Sequence, residues 1–292
     1  MPRFAYVNGR YARHNEASVH IEDRGYQFAD GVYEVIACID GDLADERGHL
    51  DRLERSLGEI GMGMPVSRQT LAFIMREVLD RNRLKNANVY IQVTRGVSKR
   101  DFPFPQNVKP ALVVTARPFT FDDGKVRETG IAVKTVRDIR WKRRDIKSVA
   151  LLAQVLAKQQ AIEAGAAEAW MLDDKGFITE GASSNAWIIT SGGKIVTRMA
   201  DQSILRGVTR TALERIMHEK ALTLEERSFS LEEAYEAAEA FNSSAVALIA
   251  PVVRIDDRPV GNGRPGPVSL KLYDQYRNYV MCDKEEQVHW QA

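Results

Sequence analysis

The chain has 292 residues, 44% apolar and 28% charged, the composition of a globular protein of one or two domains with its own core and not of a disordered chain. With 41 Lys and Arg against 40 Asp and Glu the net charge is +1, which excludes binding nucleic acid by bulk attraction. Two cysteines far apart, Cys38 and Cys282, exclude a disulfide scaffold and fit a reducing compartment, and the scattered histidines show no metal-ligand spacing.

The opening Met-Pro-Arg-Phe lacks the basic-then-apolar pattern of a signal peptide, and the longest near-apolar run, Ala245 to Val253, is too short to span a bilayer. The expectation is a cytoplasmic protein without a membrane partner. Asn8-Gly9 between apolar residues predicts a type I′ hairpin within Phe4 to Ala12, and Asp40-Gly41 a second one after the β-rich Val32 to Ile39. Leu50, Leu53, Leu57 and Ile60 then repeat at helical spacing up to Gly61. Leu71, Ile74, Met75, Val78 and Leu79 form a second helical stripe, with Ser67 as its cap. Strands over Asn88 to Val97 and Ala111 to Phe119 complete a small α+β unit, 1–120. The polar stretch 121–125 reads as a linker, and 126–292 as a larger second domain. In it, strands are predicted at Ile131 to Val136, Glu168 to Leu172, Ala186 to Ile189 and Ala245 to Val253, with a hairpin at Gly192-Gly193. Helices are predicted at Val149 to Ala164 (closed by Gly165), Thr209 to Lys220, Leu231 to Ala238 and Val268 to Met281.

No phosphate-binding loop, dinucleotide fingerprint or serine nucleophile elbow is present. Four other places could carry chemistry. Lys147 ends the basic run Arg140-Trp141-Lys142-Arg143-Arg144-Asp145-Ile146-Lys147, at the entry to the helix predicted from Val149. Neighbouring cations favour a free amine suited to a Schiff base, whereas charge runs are more often solvated faces. Thr179-Glu180-Gly181-Ala182-Ser183-Ser184-Asn185, between two strands, is either a ligand-facing loop or a polar turn. Leu205-Arg206-Gly207-Val208-Thr209-Arg210 leads into a helix, where free amides and the dipole make a phosphate cup; otherwise Thr209 is an ordinary N-cap. In Tyr26 to Val35, Tyr33 and Val35 fall on one side of a strand, as in any half-buried strand with an aromatic. Arg52 is on a helix and Arg100 is in a Pro-rich loop. The helix position reads Arg52 as an exposed arginine, while a loop arginine such as Arg100 suits bidentate carboxylate recognition, though solubility explains most loop arginines.

Together, in this order and spacing, these segments resemble the fold-type IV pyridoxal-phosphate aminotransferases, over roughly Phe4 to Val280. Arg24-Gly25-Tyr26-Gln27-Phe28 through Tyr33-Glu34-Val35 looks like the N-terminal signature of the bacterial D-amino-acid branch. Asp145-Ile146-Lys147-Ser148 with Leu151-Leu152 and Val155-Leu156-Ala157-Lys158-Gln159 looks like its lysine segment. The resemblance implies an α+β fold of two domains, a small α/β N-terminal one and a larger one with a barrel-like sheet core and flanking helices. The cofactor would be held between them, in a homodimer. It implies that Lys147 carries pyridoxal 5′-phosphate as a Schiff base and shuttles the substrate proton, and that Glu180 pairs with the pyridine nitrogen. Arg52, the amides of Val208 and Thr209, the Thr209 hydroxyl and Ser244 would hold the phosphate, and Leu205 would pack on the ring. Tyr33, Val35, Arg100, Phe102 and Ser183 would face the substrate. The implied reaction moves an amino group between a D-amino acid such as D-alanine and a 2-oxo acid such as 2-oxoglutarate, in two half-reactions at one site, with no metal. Branched-chain L-amino-acid aminotransferase, (R)-amine transaminase and aminodeoxychorismate lyase are the other members of the family it could be. Two positions depart from the D-amino-acid pattern. Phe102 stands where a histidine is usual, weakening the carboxylate trap, and Ala245 stands where a phosphate-binding threonine is frequent, leaving Ser243 or Ser244 to take its place.

Overall fold

The computed structural model describes residues 3–120 and 124–282. The first three residues of the expected linker and the last ten of the chain lie outside the described residues. The chain folds into two compact units, one of residues 1–120 and 146–151, the other of 121–145 and 152–292.

In the first unit, β1 (Phe4–Val7) and β2 (Arg10–Arg13) form the Asn-Gly hairpin, with both turn residues at positive φ (Asn8 47°, Gly9 92°) as a type I′ turn requires. A short helix absent from the sequence reading, α1 (Arg24–Phe28), is capped by Asp23 and leads into β3 (Gly31–Ile39). Asp40 and Gly41, also at positive φ, turn the chain into β4 (Asp42–Leu43). Helices α2 (Glu46–Glu59) and α3 (Arg68–Asn82) follow, the latter capped by the Ser67 hydroxyl as expected. Then come β5 (Ala87–Thr94) and β6 (Ala111–Pro118). The six strands make one sheet in the order β2-β1-β6-β5-β3-β4, antiparallel throughout. The apolar stripes of α2 and α3 bury Leu50, Leu53, Leu57, Leu71, Ile74, Met75 and Val78 against Val32, Ile36, Val89, Ile91 and Val114 of the sheet. Each such side chain contributes about 1.5–3 kcal/mol when fully buried.

The second unit begins with α4 (Lys125–Thr129) and β7 (Ile131–Arg137). Then follow α5 (Leu152–Glu163), β8 (Glu168–Leu172), β9 (Ile178–Gly181), β10 (Asn185–Ile189), β11 (Ile195–Thr197), α6 (Val208–Glu219) and β12 (Leu224–Glu226). The unit ends with α7 (Leu231–Tyr235), β13 (Glu239–Ser244), β14 (Leu248–Ile255), β15 (Arg258–Pro259) and α8 (Pro267–Cys282). A curled mixed sheet runs β12-β11-β10-β13-β14-β7-β8-β9, with β15 on β14. Alternation along β10 sends Ala186 and Ile188 into one core, around Trp170 and Phe229, and Trp187 and Ile189 into another, where Trp187 stacks on Phe241. The continuous strand expected over Ala245 to Val253 is corrected. Residues 245–247 are the turn of the β13–β14 hairpin, and Leu248 takes φ 53° to begin the return strand.

Candidate active site

In the first unit, the pleat of β3 points Val32, Glu34 and Ile36 into the core and leaves Tyr33 and Val35 half-buried on the other face. Glu34 is therefore a carboxylate with no solvent exposure. Burial alone would raise its pKa, but the Arg52 guanidinium and His49 overcome that and hold the carboxyl well below the usual range. Arg52 Nε and Nη2 donate to the two Glu34 oxygens at 2.7 and 2.8 Å, and His49 Nδ1 lies 2.8 Å from Oε2. His49 and Arg52 sit three residues apart on α2, so one helix face delivers both.

Lys147 does not stand at a helix entry. Helix α5 begins only at Leu152, and residues 147–149 run extended against the start of β3, with Ser148 bridging Val32. The Tyr33 N–H donates to the Lys147 carbonyl at 3.0 Å, the Val149 N–H to the Gly31 carbonyl at 3.1 Å, and the Lys147 N–H to Ser56 Oγ at 3.3 Å. The backbone of Lys147 is thus fixed to β3 and α2. Its amine lies 4.3 Å from the centre of the Tyr33 ring, which stacks on Tyr90. Burial pushes the Tyr90 phenol up to about 12, and its hydroxyl donates to Gln92. Among the described residues no carboxylate pairs with the Lys147 amine.

The loop after β5 carries Arg100 and Phe102. Phe102 is 80% exposed, and its ring meets Phe28 at 5.7 Å between centroids. The Arg100 guanidinium lies over the same Phe28 ring at 5.1 Å. Phe28 brings the two together at the loop's surface.

In the second unit, Glu180 on β9 is 4% exposed. Burial pushes its carboxyl above the ordinary glutamate value, opposed by the Arg140 guanidinium, which is bonded to one oxygen, and by the Leu205 amide. The Leu205 N–H lies 3.1 and 3.2 Å from the two oxygens, and Asn185 Nδ2 donates to Oε2 at 3.1 Å and to the Leu205 carbonyl at 2.9 Å. Arg140 is itself held by Asp138, through Nε at 3.0 Å and Nη2 at 2.7 Å. The basic run of the sequence is therefore only partly a solvated face: Lys142 is exposed, but Arg140 is buried on Asp138 and Glu180, and Arg143 pairs with Asp145 at 3.0 Å.

Helix α6 opens at Gly207, and no side chain caps it. Thr209 is not the N-cap but lies within the first turn; it is buried, and Tyr276 Oη donates to its hydroxyl at 3.3 Å. The Val208 and Thr209 amides head this helix. At the end of β13, pleat alternation separates the two serines. Ser243 is buried and accepts from Trp187 Nε1 at 2.8 Å, while Ser244 is half-buried and accepts from the Ala247 N–H at 3.0 Å. Ser183 donates to Glu168 at 2.5 Å, so its hydroxyl is committed to a buried carboxylate.

Four side chains that build these arrangements escaped the sequence reading: Glu34, His49, Arg140 and Asn185. Arg140 and Asn185 lay within segments singled out for other residues, and Glu34 stood as the one charge on the apolar face Val32, Glu34, Ile36 of a strand.

A family model of class IV aminotransferases matches residues 31–255. The chain is 40% identical to a D-alanine aminotransferase of Staphylococcus haemolyticus, over 94% of this chain and 97% of that one. It is 36% identical to one of Bacillus licheniformis, over 96% and 98%. The branched-chain amino acid aminotransferase of Escherichia coli superposes with a TM-score of 0.90 at 25% identity, covering 99% of this chain and 98% of that one. That of Thermoproteus uzoniensis, solved with norvaline, gives 0.86 at 27%, with the same coverage. The chain belongs to the class IV aminotransferases, which are pyridoxal-phosphate enzymes acting on amino acids and 2-oxo acids. Its residues fit that cofactor. An amine without a carboxylate partner suits the aldehyde, a buried carboxylate suits the ring nitrogen, and an uncapped helix N-terminus suits the phosphate.

Proposed function

We propose that this aminotransferase works on D-amino acids such as D-alanine, with 2-oxoglutarate or a similar 2-oxo acid as the acceptor. The observation that carries this reading is the 36–40% identity, along nearly the whole chain, to proteins named D-alanine aminotransferase. When bound, pyridoxal phosphate supplies the electron sink for Cα deprotonation and carries the amino group between the half-reactions. Lys147 holds the cofactor through its amine and moves the proton at the substrate Cα. Arg52, aimed by Glu34, holds the phosphate together with the Val208 and Thr209 amides, the Thr209 hydroxyl and Ser244. Glu180, locked by Arg140 and Leu205, keeps a proton on the ring nitrogen, and Leu205 packs on the ring. Tyr33, Val35, Arg100 and Phe102 face the substrate, with Arg100 meeting its carboxylate. Ser183, turned to Glu168, lies on the substrate side through its backbone. In this reading the two units are domains, and the enzyme is a cytoplasmic homodimer.

The test is a half-reaction screen that follows the cofactor's visible absorbance. D-Alanine should convert the band and L-leucine should not, and Lys147→Ala should lack the band. Conversion by L-leucine as fast as by D-alanine overturns the reading in favour of a branched-chain enzyme.

A further inference from the structure

Arg24 is the first residue of α1 and its side chain is 4% exposed. Its guanidinium is held by Asp30, just before β3, and by the loop after β5. Nε donates to Asp30 Oδ2 at 2.8 Å, Nη1 to the Asp101 carbonyl at 2.5 Å and Nη2 to the Phe102 carbonyl at 3.3 Å. The guanidinium also lies over the Phe28 ring at 4.8 Å, the ring that Arg100 and Phe102 touch. Asp30 receives a second buried cation, Arg95 Nε at 2.7 Å, and Arg95 in turn lies 3.6 Å over the Phe104 ring. Burial would raise the Asp30 pKa, but the two arginines lower it on balance. The loop leaves β5 through Gly96 at φ 97°, where a side chain would strike the Lys109 carbonyl. A buried cation is thus held by two carbonyls of an otherwise exposed loop, on either side of the Phe102 Cα.

We propose that Arg24 is the positioning residue of this loop: by gripping the Asp101 and Phe102 carbonyls it fixes where Arg100 and Phe102 stand, and so sets how strongly the enzyme depends on a substrate carboxylate. The proposal rests on the reading above that Arg100 meets that carboxylate. A planar fork that donates in several directions at once suits the task, and a lysine cannot reproduce it. Arg24 touches neither substrate nor cofactor in this scheme; it acts through the loop.

The experiment compares Arg24→Gln, Arg24→Lys, Arg100→Gln and the Arg24→Gln/Arg100→Gln double variant of the holoenzyme, with D-alanine and with an (R)-amine that has no carboxylate. Arg24→Gln should raise KM for D-alanine about tenfold while changing kcat less than twofold, and should leave the amine's kcat/KM unchanged. In the double variant the two effects should fall well short of adding, because both residues act through one contact. Hydrogen exchange over residues 99–104 should quicken at least tenfold while that of β3 stays as in the parent. Arg24→Lys, which keeps the charge facing Asp30, should fall between parent and Arg24→Gln, and it carries the test if Arg24→Gln does not fold. If Arg100→Gln leaves KM for D-alanine unchanged, the reading of the site fails. If Arg100→Gln raises KM and the Arg24 variants do not, or if the two effects add in full, the proposal for Arg24 is overturned.

Discussion

Glu34 shows how much one side chain can organise. A carboxylate with no exposure persists in a strand interior only because a bidentate arginine and a histidine surround it. Replacing it by Gln removes the Glu34 charge from the mostly buried Arg52, a loss of about 3–5 kcal/mol in chemical unfolding. The sign of the pH dependence follows from the lowered pKa. Glu34 binds its proton less readily folded than unfolded, so its contribution is complete above the ordinary glutamate value of about 4.3 and fades as the pH falls through the lower folded value. The stability gap between parent and Glu34→Gln should therefore be undiminished at pH 5 and close only in stronger acid. A gap that has already closed by pH 5 would contradict the assignment. Because the Glu34 carboxylate no longer aims Arg52, the variant should also release cofactor more readily, measurable by dialysis and absorbance.

The start of α6 depends on a residue with no side chain. A Cβ on Gly207 would come within 2.2 Å of the Asn185 side-chain oxygen, and Asn185 is the amide that joins Glu180 to the Leu205 carbonyl. Gly207→Ala should weaken cofactor affinity at least tenfold by titration of the apoenzyme, with the unit still folded by circular dichroism; unchanged affinity would count against the phosphate cup. Elements of this kind were partly legible in the sequence. The Asn8-Gly9 turn, the Ser67 cap and the stripes of α2 and α3 are local signals, and the structure has them where local chemistry puts them. Three features were not local. Residues 148–151 have the composition of a helix start, but their backbone is claimed by the edge of β3. Residues 245–247 form a turn without Gly or Pro, so nothing interrupts the apolar run. Arg140 belongs to a run of cations that reads as solvated, because the carboxylates that bury it lie two and forty residues away. The residues singled out by resemblance came with roles but without their supporting contacts. Glu34, His49 and Asn185 act through other side chains, and pairings across the chain leave no spacing to read.

At the scale of the whole molecule, a bound cofactor ties stability to concentration. A ligand that binds only the folded chain, present at a hundred times its Kd, adds about 2.7 kcal/mol. Stripping pyridoxal phosphate should lower the melting temperature by several degrees, and adding it back should restore the value; an unchanged melting temperature would mean that the site does not hold it tightly. The order in which the chain visits its units has a further consequence. It passes from the first to the second after residue 120, returns for residues 146–151, and leaves again. The returning segment serves the unit that the chain had already left: the Lys147 carbonyl accepts from Tyr33 and the Val149 N–H donates to Gly31. A gene fusion made at residue 120 would transplant the loop that carries Arg100 and the β3 edge but leave Lys147 with the recipient. Each hybrid would then join a donor's β3 to a recipient's lysine strand. On the proposed roles of Arg100 and Lys147, substrate choice and chemistry would be encoded on separate stretches of gene, and the six-residue return is where shuffled halves must remain compatible.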